Sequence, residues 1–216
     1  MKVALIRSIF GGFDEPKEIM KQSYAHDSFL FSEKSGFIFR NEFNPRFKAK
    51  YFKYQQHHIR ELREYDAYIY IDGSFLIKSE NFIEMMVRHV RDYDLAITLH
   101  NKRDCLFDEV KYIVNDNGGY INDRYGDEKP LMLQQAEHYR AEGMPTHWGL
   151  FCGGLFARKN TPHVNAAMDS IWLDNVRYAS QDQNPLPFYC WKNNLKVNRL
   201  KLDIVRNHFW ELKNHA

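Results

Sequence analysis

The sequence predicts an α/β fold in which a mostly parallel, Rossmann-type sheet is flanked by helices, in a single domain over residues 1–216. Strand-like and helix-like segments alternate along the chain, a pattern typical of a parallel sheet covered on both faces. A length of 216 residues favours one domain, and 44% hydrophobic residues are enough for a packed core. In such sheets ligands bind beyond the carboxyl ends of the strands.

In the first half, short apolar runs predict strands over residues 3–9, 29–31, 68–71 and 95–99. Asn44 is expected to cap a helix that begins at Pro45, because its side chain can accept from free N–H groups and proline fits the first turn. Apolar and aromatic residues from Phe47 to Leu62 recur at helical spacing, which predicts one continuous helical face. Ser79 is expected to cap the following helix.

The second half predicts a helix over 130–141, a strand over 148–157 and a helix from Pro162 through Trp172. Gly143 is expected to end the first of these helices. Residues 197–216 are mixed in character and are expected to pack back on the sheet.

Composition limits the functional classes. Thirty Lys and Arg residues against 28 Asp and Glu give a net charge of +2, which by itself does not indicate nucleic-acid binding. Three cysteines without CxxC spacing favour a reducing compartment over disulfides or a zinc site. Arg7 interrupts the N-terminal apolar run, and nothing approaches the roughly 20 apolar residues of a membrane span. We therefore expect a cytoplasmic protein with no membrane partner, in a bacterium or a virus-infected host cell.

Asp72 is the most informative polar residue. It follows four strand-forming residues and precedes Gly73 and Ser74, so the strand delivers its carboxylate to the ligand edge of the sheet. Asp72 and Ser74 can offer hard oxygen ligands to Mg²⁺ or Mn²⁺. Asp, Gly and Ser are also common in turns, so spacing alone leaves both a metal site and a polar turn at the strand end open.

Several segments, taken in order, resemble the glycosyltransferase domain shared by the plant TOD1 and MUCI70 proteins, formerly a domain of unknown function. The similar segments are 9–15, 49–53, 65–74, 100–109, 139–145, Gly153-Gly154 with Arg158, and Asp182-Gln183. The ordered set spans nearly the whole chain. The resemblance implies a GT-A-like fold and a metal-dependent glycosyltransferase, a hexosyl- or pentosyltransferase that moves a sugar from a nucleoside diphosphate donor, a UDP-sugar, to a hydroxyl acceptor.

The resemblance also implies roles for individual residues. The Mn²⁺ or Mg²⁺ ligands would be Asp72, Ser74 and a C-terminal histidine, either His208 or His215. Asp182 would be the catalytic residue, as a general base in an inverting mechanism or as a group that orients the sugar in a retaining one. A helix cap is the alternative role for Asp182.

The residues expected to bind the nucleotide sugar are Phe10, Gly11, Gly12, Asp14, Lys50, Lys53, His100, Arg103, Gly153 and Gly154. Lys50 and Lys53 share a helix face, which could aim at the phosphates or form a solvated basic edge. Arg103 could bind phosphate or pair with a carboxylate such as Glu109. Gly153 and Gly154 could leave room for the sugar or mark a bulge, and Asp14 could contact the nucleoside or cap a helix.

Two other functions remain open. One is a metal-dependent hydrolase of a lipid or phosphate ester, and the other is a non-catalytic nucleotide or nucleic-acid binding module. The chain lacks G-x-S-x-G and G-x-G-x-x-G, which argues against an α/β-hydrolase and a Rossmann dehydrogenase. For a transferase, the acceptor could be a glycan, a protein, a small molecule or a hydroxylated DNA base. The sequence leaves the oligomeric state open.

Overall fold

A mixed, mostly parallel sheet with helices on both sides forms the centre of the molecule. The computed structural model describes residues 1–36, 44–116 and 118–213. The strands there are β1 (Val3–Ser8), β2 (Asp27–Phe31), β3 (Ala67–Ile71), β4 (Phe75–Ile77), β5 (Leu95–Leu99), β6 (Phe151–Lys159), β7 (Val197–Leu200) and β8 (Trp210–Leu212). The helices there are α1 (Pro45–Tyr54), α2 (Phe82–Arg91), α3 (Leu106–Asn115), α4 (Gly119–Tyr125), α5 (Lys129–Ala141), α6 (Pro162–Arg177) and α7 (Pro185–Lys192).

Within the described ranges, six strands form one sheet in the order β2-β1-β3-β6-β5-β7. The neighbours β2 and β1, β1 and β3, and β5 and β7 are parallel, whereas β6 runs antiparallel to both β3 and β5. The predicted α/β fold with a mostly parallel sheet is therefore confirmed. The reversal at β6 brings its first residues to the edge where β3 and β5 end, and this edge carries the candidate site.

The two faces of the sheet bury separate sets of side chains. Along β3, Tyr68 and Tyr70 pack on the face covered by α1, α6 and α7, and Ile69 and Ile71 pack on the opposite face against α2. This alternation follows from the two-residue repeat of a strand, and burial on both faces explains the uninterrupted apolar run. A third apolar cluster lies between α3, α5 and α7.

Some local predictions are confirmed and others are wrong. Asn44 caps α1 as predicted, accepting a hydrogen bond of 3.1 Å from the backbone N–H of Phe47. The helix ends at Tyr54, however, and the chain to Leu62 continues as two short 3₁₀ turns. The predicted cap at Ser79 is also wrong, because α2 begins after Asn81 and the Ser79 hydroxyl accepts from the Asn81 N–H instead.

Other boundaries and three helices depart from the sequence prediction. The predicted strand over 148–157 starts at Phe151 and ends at Lys159, and the helix from Pro162 extends to Arg177 instead of ending at Trp172. Helices α3 and α4 were not predicted, and α7 was anticipated only through the alternative that Asp182 caps a helix; the residue at the cap position is Asn184. The tail does pack back as expected, since β7 joins the main sheet and β8 pairs antiparallel with β4.

No helix within the described ranges is both long and apolar enough to cross a membrane. Cys105, Cys152 and Cys190 are all free thiols.

Candidate active site

A cavity of about 600 Å³ opens at the edge of the sheet where β1, β3 and β5 end and β6 begins. Its walls include Ser8 at the end of β1, Asp72 just after β3, and His100 just after β5. The volume lies within the range of ligand pockets in proteins. The strand ends thus deliver polar side chains to one concave surface, at the edge expected for ligands of such sheets.

A buried charged group closes one wall of this cavity. We call Lys50, Lys53, Tyr54 and Asp182 the Asp182 cluster. Oδ2 of Asp182 lies 3.0 Å from Nζ of Lys50 and 2.6 Å from Nζ of Lys53, and it accepts a 3.0 Å hydrogen bond from the Tyr54 hydroxyl. The two lysines project from the same face of α1, as their spacing predicts. They are held by a residue far along the chain and do not form a solvated basic edge.

Protonation states in the Asp182 cluster follow from burial and mutual attraction. Burial by itself raises the pKa of Asp182, but the ammonium groups of Lys50 and Lys53 outweigh burial and hold that pKa far below its usual range. Burial lowers the pKa of Lys50, whereas for Lys53 the attraction of Asp182 and Asp72 overcomes burial and raises the pKa. Asp182 is therefore a strongly stabilised carboxylate with little tendency to take up a proton.

Asp72 lies beside this cluster and reaches the cavity. Its Oδ1 accepts a 2.8 Å hydrogen bond from the Tyr70 hydroxyl and lies 3.9 Å from Nζ of Lys53. Its backbone N–H donates to the carbonyl of Gly154, so the pairing with β6 continues past the strand end. Burial and then the Asp72 charge raise the pKa of Tyr70 well above its ordinary value, so this hydroxyl stays protonated as a donor. The Asp72 side chain remains 39% exposed and available to a ligand.

Gly153 and Gly154 permit the close approach of the two carboxylates to β6. A Cβ atom on Gly154 would lie 2.9 Å from Oδ2 of Asp72 and 2.9 Å from Cε2 of Phe75. A Cβ atom on Gly153 would lie 3.2 Å from Oδ2 of Asp182. A side chain at Gly154 would therefore force Asp72 or Phe75 to move, and one at Gly153 would fit only tightly beside Asp182. Neither sequence interpretation included this reason for the glycine pair.

Replacement of Gly154 by alanine is expected to lower the free energy of unfolding by about 1–3 kcal/mol, because the added methyl group overpacks the strand. Asp72 or Phe75 would have to move, so ligand binding in the cavity should weaken as well. Urea unfolding measures the first effect. Gly126→Ala is the matched control: its Cβ would find ordinary contacts from 3.5 Å outward, so the change should leave the free energy of unfolding unchanged or raise it by up to about 1 kcal/mol. Equal stability of the two variants would contradict the close approach of Asp72 and Phe75 to Gly154.

The cavity lining carries four cationic side chains and three carboxylates. The cationic side chains are Arg46, Lys50, Lys53 and Arg124, and the carboxylates are Asp14, Asp72 and Asp182. Arg46 donates a 2.6 Å hydrogen bond to the carbonyl of Arg124, and its guanidinium lies 5.7 Å from the Tyr125 ring centroid. The sequence prediction did not include Arg124 and Tyr125. They belong to the unpredicted α4, and no local pattern links that helix to α1.

The oxygen donors at the end of β3 fit a hard divalent cation. Asp72 offers a carboxylate to the cavity, and Ser74 lies in the lining although the residue is only 4% exposed. Among described residues, neither group of three or more convergent His, Cys, Asp or Glu ligands includes Asp72. Mg²⁺ and Mn²⁺ accept such a sparse protein contribution when substrate phosphates and water complete the shell.

Of the two histidines considered as further metal ligands, the one that the structure describes lies away from the cavity. His208 is exposed, packs edge-on against Phe209 and does not line the cavity. His215 lies outside the described residues.

The predicted nucleotide-sugar residues separate into two groups. Those that line the cavity are Phe10, Asp14, Lys50, Lys53, His100, Gly153 and Gly154. Gly11, Gly12 and Arg103 are not in the lining. The Gly11 N–H donates a 2.6 Å hydrogen bond to Glu33, and Arg103 forms an ion pair with Glu109 while its guanidinium lies 4.0 Å from the Tyr112 ring centroid. Arg103 thus adopts the structural alternative considered from sequence.

His100 presents a neutral ring to the cavity. Burial lowers the pKa of His100, and the attraction of Glu109 does not fully compensate. Its Nδ1 accepts hydrogen bonds from the backbone N–H groups of Lys102 and Arg103, at 3.3 and 3.0 Å. The ring proton therefore resides on Nε2, which can donate to a ligand.

Cys152 also lines the cavity, but burial raises the pKa of its thiol to about 12. It is therefore no candidate for a thiolate nucleophile.

No family model matches the sequence, and no curated protein gives a significant match. Among solved structures, the chain is similar to the apo structure of the WbbM bifunctional glycosyltransferase, with a TM-score of 0.47 and 13% sequence identity. That similarity covers 92% of this chain and 38% of the WbbM chain, so the present chain spans well under half of it. A likeness at this level carries no argument about activity, and the TOD1/MUCI70 resemblance stays a prediction.

Proposed function

We propose that this chain is a metal-dependent glycosyltransferase of the GT-A type, which moves a sugar from a UDP-linked donor to a hydroxyl acceptor. The observation that carries the proposal is the convergence of Asp72 with the Asp182 cluster in one cavity at the carboxyl edge of the sheet. Transfer of a sugar from such a donor leaves a diphosphate with increasing negative charge. A site with fixed cations near one accessible carboxylate suits that chemistry.

The basic residues supply the charge that a diphosphate needs. Lys53 is positioned before any ligand arrives, because Asp182 holds its ammonium group at 2.6 Å. Arg46 and Arg124 line the same cavity and can offer guanidinium groups to phosphate oxygens. We therefore propose that the leaving diphosphate lies between α1 and α4, with the Nε2–H of His100 as a further donor.

Asp72, supported by Ser74, would hold Mn²⁺ or Mg²⁺ in this proposal. When bound, such an ion supplies positive charge to the departing diphosphate oxygens. The Tyr70 hydroxyl donates to Oδ1 of Asp72 and so orients the carboxylate, with Oδ2 directed toward β6.

Of the two catalytic roles considered for Asp182, its buried contacts with Lys50 and Lys53 support orientation of the sugar. A general base needs a pKa near the working pH. Burial raises the pKa of Asp182, but the charges of Lys50 and Lys53 lower it by more and hold it far below its usual range. We propose that Asp182 fixes the two lysines and positions the sugar. This role fits a retaining mechanism better than an inverting one.

Calorimetry with UDP tests this proposal directly. We expect UDP to bind more tightly with Mn²⁺ than in the presence of a chelator, and uridine, which lacks the diphosphate, to show no such difference. Lys50→Gln should weaken UDP binding, whereas Lys48→Gln, on the same helix but outside the cavity lining, should leave it unchanged. Absence of UDP binding under both metal conditions would contradict the proposal.

The two other functions considered from sequence give different results in the same preparations. A hydrolase would convert a phosphate ester without needing a sugar nucleotide, which product analysis detects. A nucleic-acid binding module would ignore UDP, and its binding would fall steeply with salt. A gel shift with plain and hydroxymethylated DNA tests one acceptor class among glycans, proteins, small molecules and hydroxylated bases.

A further inference from the structure

A second group of chemically distinctive side chains lies outside the cavity. Ligand atoms of Cys105, Asp108 and His147 lie within 4.8 Å of one another. Cys105 immediately precedes α3, Asp108 lies in the first turn of that helix, and His147 belongs to the segment between α5 and β6. None of the three lines the candidate active site.

A fourth residue orients the histidine. Nδ1 of His147 lies 2.8 Å from Oδ1 of Asp104, a carboxylate that can only accept a hydrogen bond from the ring. In the neutral tautomer this bond keeps the proton on Nδ1 and leaves the lone pair of Nε2 available. Metal-binding histidines in proteins are commonly oriented in this way, by a carboxylate on the opposite ring nitrogen.

Cysteine spacing along the chain argued against a zinc site, but the fold brings one cysteine together with two other ligand types. We propose that Cys105, Asp108 and His147 form a zinc site, with Asp104 as the residue that orients His147. A thiolate, an imidazole and a carboxylate are the three ligand types that Zn²⁺ takes in proteins, and tetrahedral coordination leaves one position for water. The sulfur ligand disfavours Mg²⁺ and Ca²⁺, which prefer oxygen. The site therefore differs in metal preference from the proposed site at Asp72.

The other convergent group within the described residues serves as a contrast. His57, His58 and Asp169 also present ligand atoms within 4.8 Å of one another. The Arg158 guanidinium, however, donates to Nδ1 of His57 at 3.2 Å, while Nε2 lies 3.0 Å from Asp169. Because Nδ1 accepts from an arginine, the proton of neutral His57 must reside on Nε2, so that nitrogen has no lone pair for a metal. A cation there would also face the fixed charge of Arg158.

The proposed zinc ion would join two separate segments of chain. Cys105 and Asp108 belong to the start of α3, and His147 belongs to the segment that leads into β6. The residues just before Cys105 include His100 and Asn101, which line the cavity. The ion would therefore fix one rim of the cavity in place without contacting a ligand inside it. This inference does not depend on the proposed glycosyltransferase activity.

The zinc content of untagged, purified full-length protein tests the proposal. We expect a single zinc ion per chain by elemental analysis, removal of that ion by a chelator with a fall in the melting temperature, and restoration of both on adding Zn²⁺. Replacement of the metal by Co²⁺ should give a thiolate-to-cobalt absorption band, which reports Cys105 directly. If Co²⁺ binds in the same amount but gives no such band, the thiol is not a ligand and the proposal is overturned.

Variants separate the proposed ligands from their neighbours. His147→Asn should abolish stoichiometric binding, and asparagine tolerates the left-handed backbone at this position, where φ is 55°. Asp104→Asn should weaken Zn²⁺ affinity by roughly 10- to 100-fold, the usual effect of losing an orienting carboxylate. His58→Asn, in the contrasting group, should bind zinc like the wild type. The site would be refuted if zinc-free wild-type protein failed to bind added Zn²⁺. It would also be refuted if zinc were lost in His58→Asn and in no other variant.

Discussion

Asp182→Asn is expected to lower the free energy of unfolding by about 3 kcal/mol, because it leaves two buried ammonium groups without their shared carboxylate. Nζ of Lys53 is 2.6 Å and Nζ of Lys50 is 3.0 Å from Oδ2 of Asp182, and all three side chains are at least 89% buried. Asparagine keeps the shape but removes the negative charge. The nearest remaining carboxylate, Asp72, lies 3.9 Å from Lys53 and compensates only in part.

Urea unfolding of matched variants measures this effect. Asp169→Asn, which removes a carboxylate that is 38% exposed and pairs with two histidines, should cost no more than about 1 kcal/mol. The double variant with Lys50→Gln and Asp182→Asn should lose less free energy of unfolding than the sum of the losses of the two single variants, because it removes both charges of the ion pair. A strictly additive double variant would show that the two charges do not stabilise each other.

The low pKa of Asp182 also predicts how stability changes in acid. Burial raises this pKa, but the two lysines outweigh burial and depress it below the value in the unfolded chain. The stabilisation is therefore fully present above the unfolded pKa of about 3.9 and is lost as the pH falls toward the folded pKa. Wild-type protein should lose more stability than Asp182→Asn below roughly pH 4.

Asp72→Ala is expected to reduce turnover by about 10²- to 10³-fold or more while leaving the melting temperature nearly unchanged, because the carboxylate acts on charge that develops during the reaction. Turnover is measured as UDP released from a panel of UDP-hexoses and UDP-pentoses in Mn²⁺, with water taking the sugar in place of the natural acceptor. Little stability should be lost, since the Asp72 side chain is 39% exposed and Tyr70 keeps its second contact with the Ser8 hydroxyl.

Asp92→Ala is the control for this experiment. It removes one exposed carboxylate at the end of α2, away from the cavity, and should change neither turnover nor the melting temperature. Unfolding of Asp72→Ala at ordinary temperature would assign Asp72 a structural role. Full turnover in a folded Asp72→Ala protein would remove the basis of the proposed mechanism.

Local sequence patterns predicted much of the fold because the forces that they report are local. Asn44 and Pro45 marked the start of α1, since capping and proline geometry involve only the first turn. The strand before Asp72 was predicted because a run buried on both faces must be apolar throughout. Helical spacing failed past Tyr54, where the chain continues in 3₁₀ turns although the apolar spacing persists.

By itself, the sequence determined that a carboxylate at position 72 would emerge from a buried strand of an α/β sheet, and that Lys50 and Lys53 would share one helix face. Only the tertiary structure decided that Asp182 would hold both lysines, that β6 would run antiparallel through the middle of the sheet, and that His147 would approach Cys105. Each of these depends on which distant segments are buried together. The energy of a buried ion pair or a strand pairing depends on distance and exclusion of water, which residue spacing along the chain does not report.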